Sequence, residues 1–100
     1  LDTFVFSYRL FLQKLRIFYP NSEIILLTGP MMQGSSLNVL QELLDRVLAY
    51  RAASGDTRVH RLDLSTQGEL GYGCDWHPNV AQQRQNATEL TAFVQQLMSW

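Results

Sequence analysis

His77 is the residue in this chain whose surroundings best suit acid–base chemistry. It stands in the run Gly71-Tyr72-Gly73-Cys74-Asp75-Trp76-His77-Pro78-Asn79, a glycine-rich loop with a carboxylate two positions before the histidine and Pro-Asn directly after it. A helical pattern begins at once beyond that loop. A helix N-terminus disfavours the imidazolium, so a histidine placed there is kept neutral and ready to accept a proton. The competing use of such a residue is a loop histidine satisfied by a backbone carbonyl. Cys74 is a poor alternative nucleophile, because only His77 is near it in sequence and two residues of loop rarely give the required geometry. A metal site made from Cys74, Asp75 and His77 with His60 is also disfavoured, since structural zinc needs four well-spaced ligands and His60 falls in a predicted strand.

The run from Asp75 to Asn79, read as Asp-x-His-Pro-Asn, resembles the C-terminal block of the SGNH/GDSL hydrolases, and within them the carbohydrate esterase family 2 branch. Tyr8, Leu12, Arg16 and Tyr19-Pro20, followed by Ile24-Ile25-Leu26-Leu27-Thr28-Gly29-Pro30, resemble that family's helix, strand and post-strand loop in the same order, so the similarity covers nearly the whole chain. The resemblance implies the C-terminal half of a doubly wound, flavodoxin-like α/β domain of three layers, with residues 1–100 forming part of a single domain. It further implies hydrolysis of acyl esters, commonly acetyl groups on carbohydrates, with His77 as general base and no cofactor or metal. Two roles are open to Asp75. It either orients His77 or caps the loop through backbone N–H groups, and in the carbohydrate esterase branch a main-chain carbonyl can take over the orienting role. The common SGNH block puts its acid three positions before the histidine, where this chain has Cys74. Trp76, Tyr72 and Met31 fall where the resemblance puts the rim of the substrate cleft; an indole face beside a sugar ring offers apolar stacking, while the plain alternative for each is packing. The family's Gly-Asp-Ser nucleophile block does not occur in this chain: Ser7, Ser22, Ser35, Ser36, Ser54, Ser65 and Ser99 all lack that context, and most read as caps or turn residues.

Composition restricts the remaining possibilities. With 46% hydrophobic and 17% charged residues the chain reads as globular, not disordered. A net charge of −1 with scattered basic residues argues against a nucleic-acid surface. The longest apolar run, Ile24 to Leu27, is far short of the roughly 20 residues of a membrane span. A single cysteine excludes an internal disulfide. Asn86-Ala87-Thr88 matches a glycosylation acceptor, a short pattern of little weight by itself. The resemblance alone suggests a secreted or cell-envelope bacterial protein.

Hydrophobic periodicity supplies the elements that must carry the loop. Phe4, Tyr8, Phe11, Leu12, Leu15 and Phe18 follow helical spacing, with Asp2 as cap and Pro20-Asn21 as stop. Glu23 to Thr28 is a strand buried on both faces, and Met31 to Ser36 a loop. Val39, Leu40, Leu43, Leu44, Val47 and Leu48 form a second helical stripe, opened by Asn38 and Gln41 in capping-box spacing and ended by Gly55. Val59 to Leu64 is the second strand, Ser65 to Trp76 a loop, and Val80, Ala87, Leu90, Val94 and Leu97 make the last helix. The order α-β-α-β-α predicts two parallel strands joined by a right-handed crossover. Open strand edges predict a chain that pairs with the rest of its domain or with itself. Two functions of different class follow: part of a serine esterase acting on an acetylated carbohydrate or other small ester, or a noncatalytic α/β module that associates through its sheet edge, with neither nucleic acid nor membrane as partner.

Overall fold

The computed structural model describes all residues from Leu1 to Trp100. It contains α1 (Asp2–Phe18), β1 (Ile24–Thr28), α2 (Gly34–Ala53), β2 (Val59–Asp63) and α3 (Val80–Met98). A short 3-10 turn at Cys74–Trp76 interrupts the long connection between β2 and α3. The two strands are neighbours in one sheet. The Ile24 N–H donates to the Arg58 carbonyl at 2.8 Å, and the Leu64 N–H donates to the Thr28 carbonyl at 3.0 Å. Both partners ascend together, as parallel strands require, and α2 is the crossover that parallel pairing demands. No helix is long and apolar enough to cross a membrane.

Packing divides the chain into two units, Leu1–Leu26 with Asn38–Arg61 and Leu27–Leu37 with Leu62–Trp100. The first holds the apolar core. Val5, Leu12, Leu26, Leu43, Leu44 and Val47 are buried there, with Tyr8, Leu15, Ile24, Leu40, Leu48 and Val59 packed around them. Helical spacing explains which face of α1 is used: Val5, Tyr8, Leu12 and Leu15 recur every three or four residues and form one stripe. Phe11 and Phe18, part of the apolar spacing read from the sequence, lie outside that stripe and remain 58% and 67% exposed. Leu27 is likewise 44% exposed while Leu26 and Thr28 are buried, so β1 has one covered face and not the two expected.

The helix ends follow backbone chemistry. Asp2 lies inside the first turn of α1, and Leu1 occupies the cap position without a side-chain bond. The start of α2 at Gly34 is four residues earlier than the Asn38 cap expected from sequence. Its C-terminus closes as predicted at Gly55, whose φ of 86° is left-handed. There the Gly55 N–H bonds the Ala52 carbonyl and the Asp56 N–H bonds the Arg51 carbonyl, the paired reverse bonds of a Schellman motif. That turn delivers Asp56 to Arg16 at 2.9 Å and Arg51 at 2.7 Å. Burial pushes the Asp56 carboxyl up, but the bonds from Arg16, Arg51 and the Arg58 N–H outweigh it and hold the group at about 2.

The second unit is organised by polar bonds. On α3 the buried side chains are Gln82 and Asn86, and Val80, one of the apolar positions of its helical pattern, is 61% exposed. Both amides donate to the Ser65 carbonyl just beyond β2, at 2.8 and 3.0 Å. Glu89 accepts from the Ser65 N–H at 2.9 Å, from the Ser65 hydroxyl and from Asn86 at 3.0 Å. Burial raises the Glu89 carboxyl, and these bonds more than reverse that, bringing it to about 2. Asn86 is thereby 8% exposed with its amide engaged, which sequesters the glycosylation pattern.

Both carboxyls titrate lower in the folded chain than their ordinary values of 3.8 and 4.5. Their ionised forms therefore favour the folded state above about pH 4.5, and that contribution is lost as pH falls through the folded values near 2. Urea unfolding followed at several pH values should show stability falling below pH 4.5 in the parent, with a shallower fall in Asp56→Asn and Glu89→Gln, both weaker than the parent at neutral pH. An unchanged pH slope in both variants contradicts the assignment.

Candidate active site

The loop that presents His77 is a tight left-handed turn. Asp75 and Trp76 have φ of 57° and 62°, a region that bulky residues seldom occupy and that costs about 1–3 kcal/mol each unless the surroundings enforce it. Two bonds close the turn: the Gly73 N–H donates to the His77 carbonyl at 2.7 Å, and the His77 N–H donates to the Cys74 carbonyl at 3.1 Å. Gly73 must be glycine for reasons of space, because a Cβ there would lie 2.9 Å from the His77 carbonyl oxygen.

The ring of His77 is oriented by the same Cys74 carbonyl, 3.1 Å from Nδ1. A carbonyl can only accept, so Nδ1 carries the proton; in the neutral ring, Nε2 is then the free lone pair. That is the tautomer a general base needs. Asp75, the alternative orienting group, is exposed, and the bond of the ring nitrogen runs to the carbonyl and not to its carboxylate. Directly after the histidine, Asn79 caps α3 by accepting from the Gln82 N–H at 2.9 Å. Its amide nitrogen donates back to the Leu70 carbonyl at 2.7 Å, tying the helix start to the glycine turn at Gly68–Gly71.

Tyr72 and Trp76 meet edge to face, with ring centroids 5.1 Å apart at 73°. Both remain open to solvent, Trp76 at 70%. The exposed indole of Trp76, one residue before the histidine, offers a flat apolar face suited to a ring-shaped ligand, with the Tyr72 ring standing edge-on against it. Beside it lies an open cleft of about 460 Å³, lined by Gln33, Ser65, Gln67, Gly68, Glu69 and Tyr72. Another hollow, walled by Phe6, Leu10 and Tyr50 in the first unit, contains no histidine, cysteine or carboxylate. His60 pairs with Glu23 at 2.9 Å on β2.

Tyr72, Asp75, Trp76 and His77 thus share one loop. Met31, 51% exposed, stands on the loop after β1, which is fastened to this unit by the Gln67 N–H donating to the Pro30 carbonyl at 2.9 Å and by Gln33 donating to the Gln67 carbonyl at 2.6 Å. Sequence reasoning missed Gln67, whose side chain is 8% exposed and donates to the Trp76 carbonyl at 2.7 Å. It also missed Gln82, Asn86 and Glu89. Three polar residues at i, i+4 and i+7 on one face of α3 were the available signal, but an apolar stripe is the usual mark of a covered face.

No family model matches the chain. Over 98 residues it is 33% identical to the cellulase/esterase CelE of Acetivibrio thermocellus, covering 97% of this chain and 12% of CelE. It superposes on a family two carbohydrate esterase from Clostridium thermocellum, solved in complex with cellohexaose, with a TM-score of 0.93 at 31% identity. An active-site mutant of such an esterase from the same organism superposes with a TM-score of 0.92. In both superpositions 99% of this chain covers 31% of the solved one. By sequence the chain is therefore a homologue of CelE, and by fold it matches part of a family 2 carbohydrate esterase of the SGNH type, consistent with the C-terminal half of that domain.

Proposed function

We propose that this chain supplies the general base and part of the sugar-contacting rim of an esterase that removes acyl groups, acetyl above all, from carbohydrates. The observation that carries the reading is the 3.1 Å contact from His77 Nδ1 to the Cys74 carbonyl, which leaves Nε2 free to take a proton. The nucleophilic serine lies outside these 100 residues. As its hydroxyl oxygen attacks the ester carbonyl, Nε2 accepts the hydroxyl proton; on collapse of the tetrahedral intermediate the proton passes to the departing alcohol oxygen. Water then attacks the acyl-enzyme with the same histidine as base, releasing the acid. Exposed Trp76, backed by Tyr72, is the surface on which a sugar ring would rest, and cellohexaose bound to the superposed esterase makes a carbohydrate the natural ligand class. Met31, exposed on the loop after β1, would add to the rim.

Activity toward an acetylated oligosaccharide, measured in the full-length protein carrying this segment, tests the assignment. His77→Ala should lower kcat by about a thousandfold or more, while Asp75→Asn should lower it less than about tenfold because a carbonyl holds the ring. Near-parental turnover in the histidine variant refutes the reading, and an aspartate loss as deep as the histidine loss transfers the orienting role to Asp75. Gly73→Ala, which forces the loop away from a 2.9 Å clash, should cost at least tenfold in kcat with little change in KM. Unaltered kcat in that variant would show that the turn tolerates displacement.

A further inference from the structure

Gln67 is a buried amide whose two ends are treated unequally. Its Nε2 donates to the Trp76 carbonyl at 2.7 Å, whereas its Oε1 is buried and without a partner. The amide cannot be reversed, because Oε1 would then face another acceptor. Its main chain is equally fixed: the N–H donates to Pro30, and the carbonyl accepts from Gln33 at 2.6 Å. Gln67 is thus a rigid post with one N–H aimed at the peptide that joins Trp76 to His77.

That peptide needs an external hold. Asp75 and Trp76 are both left-handed, and such a conformation in non-glycine residues persists only where surrounding bonds impose it. Apart from Gln67, the bonds that close the turn come from within it, through Gly73, Cys74 and His77. A buried oxygen without a donor also weighs against the folded state, and an apolar residue of the same shape would remove that burden. A glutamine kept in such a place is explained by what its nitrogen does.

Resting on the general-base reading of His77, we propose that Gln67 is a positioning residue for catalysis: by holding the Trp76 carbonyl it fixes the left-handed turn and so the direction in which His77 Nε2 points. Although Gln67 lines the open cleft, its side-chain nitrogen is committed to the Trp76 carbonyl, so it acts on the reacting proton only through the turn. Its removal should let the turn relax, which misdirects the base while leaving the fold in place.

Gln67→Met in the full-length protein tests this, since Met matches the side chain in length and lacks the donor. The expected result is a ten- to hundredfold fall in kcat, a change in KM below about threefold, and a melting temperature equal to or above that of the parent. His77→Ala measured alongside separates the two readings. If His77→Ala remains active, the base assignment fails; if it is inactive while Gln67→Met keeps kcat within twofold of the parent, only the positioning role fails. Gln67→Leu serves as a second variant. Should both apolar variants lose the fold, with near-ultraviolet dichroism collapsing in step with activity, the residue is structural and the proposal is overturned.

Discussion

One carbonyl governs this site. The Cys74 oxygen accepts from the His77 main chain and from its ring Nδ1, both at 3.1 Å, so it fixes the end of the turn and the tautomer of the imidazole together. A carbonyl cannot be protonated near neutral pH, which separates it from a carboxylate partner: it orients the ring without adding a charge to stabilise the imidazolium. A few neighbouring residues shape the turn that carries that oxygen. The left-handed pair Asp75 and Trp76 turns the chain so that His77 reaches the Cys74 carbonyl, Gly73 leaves room for the His77 carbonyl, and Gln67 donates to the carbonyl of the peptide between Trp76 and His77.

The two units are stabilised by different physics. In the first, apolar side chains from α1, β1 and α2 form a core, and a half-buried carboxylate, Asp56, gathers two guanidinium groups at the exit of α2. In the second, where the histidine lies, amides and a carboxylate on α3 clasp the Ser65 backbone. Hydrogen bonds have direction and apolar contacts do not, so a segment whose backbone must be placed to within a fraction of an ångström is better fixed by amides than by methyl groups. The polar face of α3 follows from what that helix must hold.

The same contrast explains what could be read from the sequence. Strands and helices were legible because burial imposes periods: Leu43, Leu44 and Val47 announced α2, Ile24 to Leu27 announced β1, and Gly55 marked a helix end by its backbone freedom. The histidine loop was legible because Gly, Asp, His, Pro and Asn stood in a spacing with a chemical use. Exposure of Phe11, Phe18 and Leu27 was not, since periodicity shows that a residue is apolar and not whether anything covers it. Gln67 was invisible for another reason: its partners lie at Pro30, Gln33 and Trp76, and a bond between distant positions leaves no local pattern. Whether Asp75 or a carbonyl orients the ring was likewise a question of backbone conformation, decided by two left-handed residues that no propensity would place there.

In the neutral imidazole of His77, the bond to the Cys74 carbonyl selects the Nδ1–H tautomer and leaves Nε2 free. Nitrogen-15 NMR of the labelled imidazole in the folded protein at neutral pH tests it most directly. The account predicts that Nδ1 resonates as a protonated, pyrrole-type nitrogen and Nε2 as an unprotonated, pyridine-type one. The reverse pattern, or averaging of the two tautomers at that ring, would contradict it.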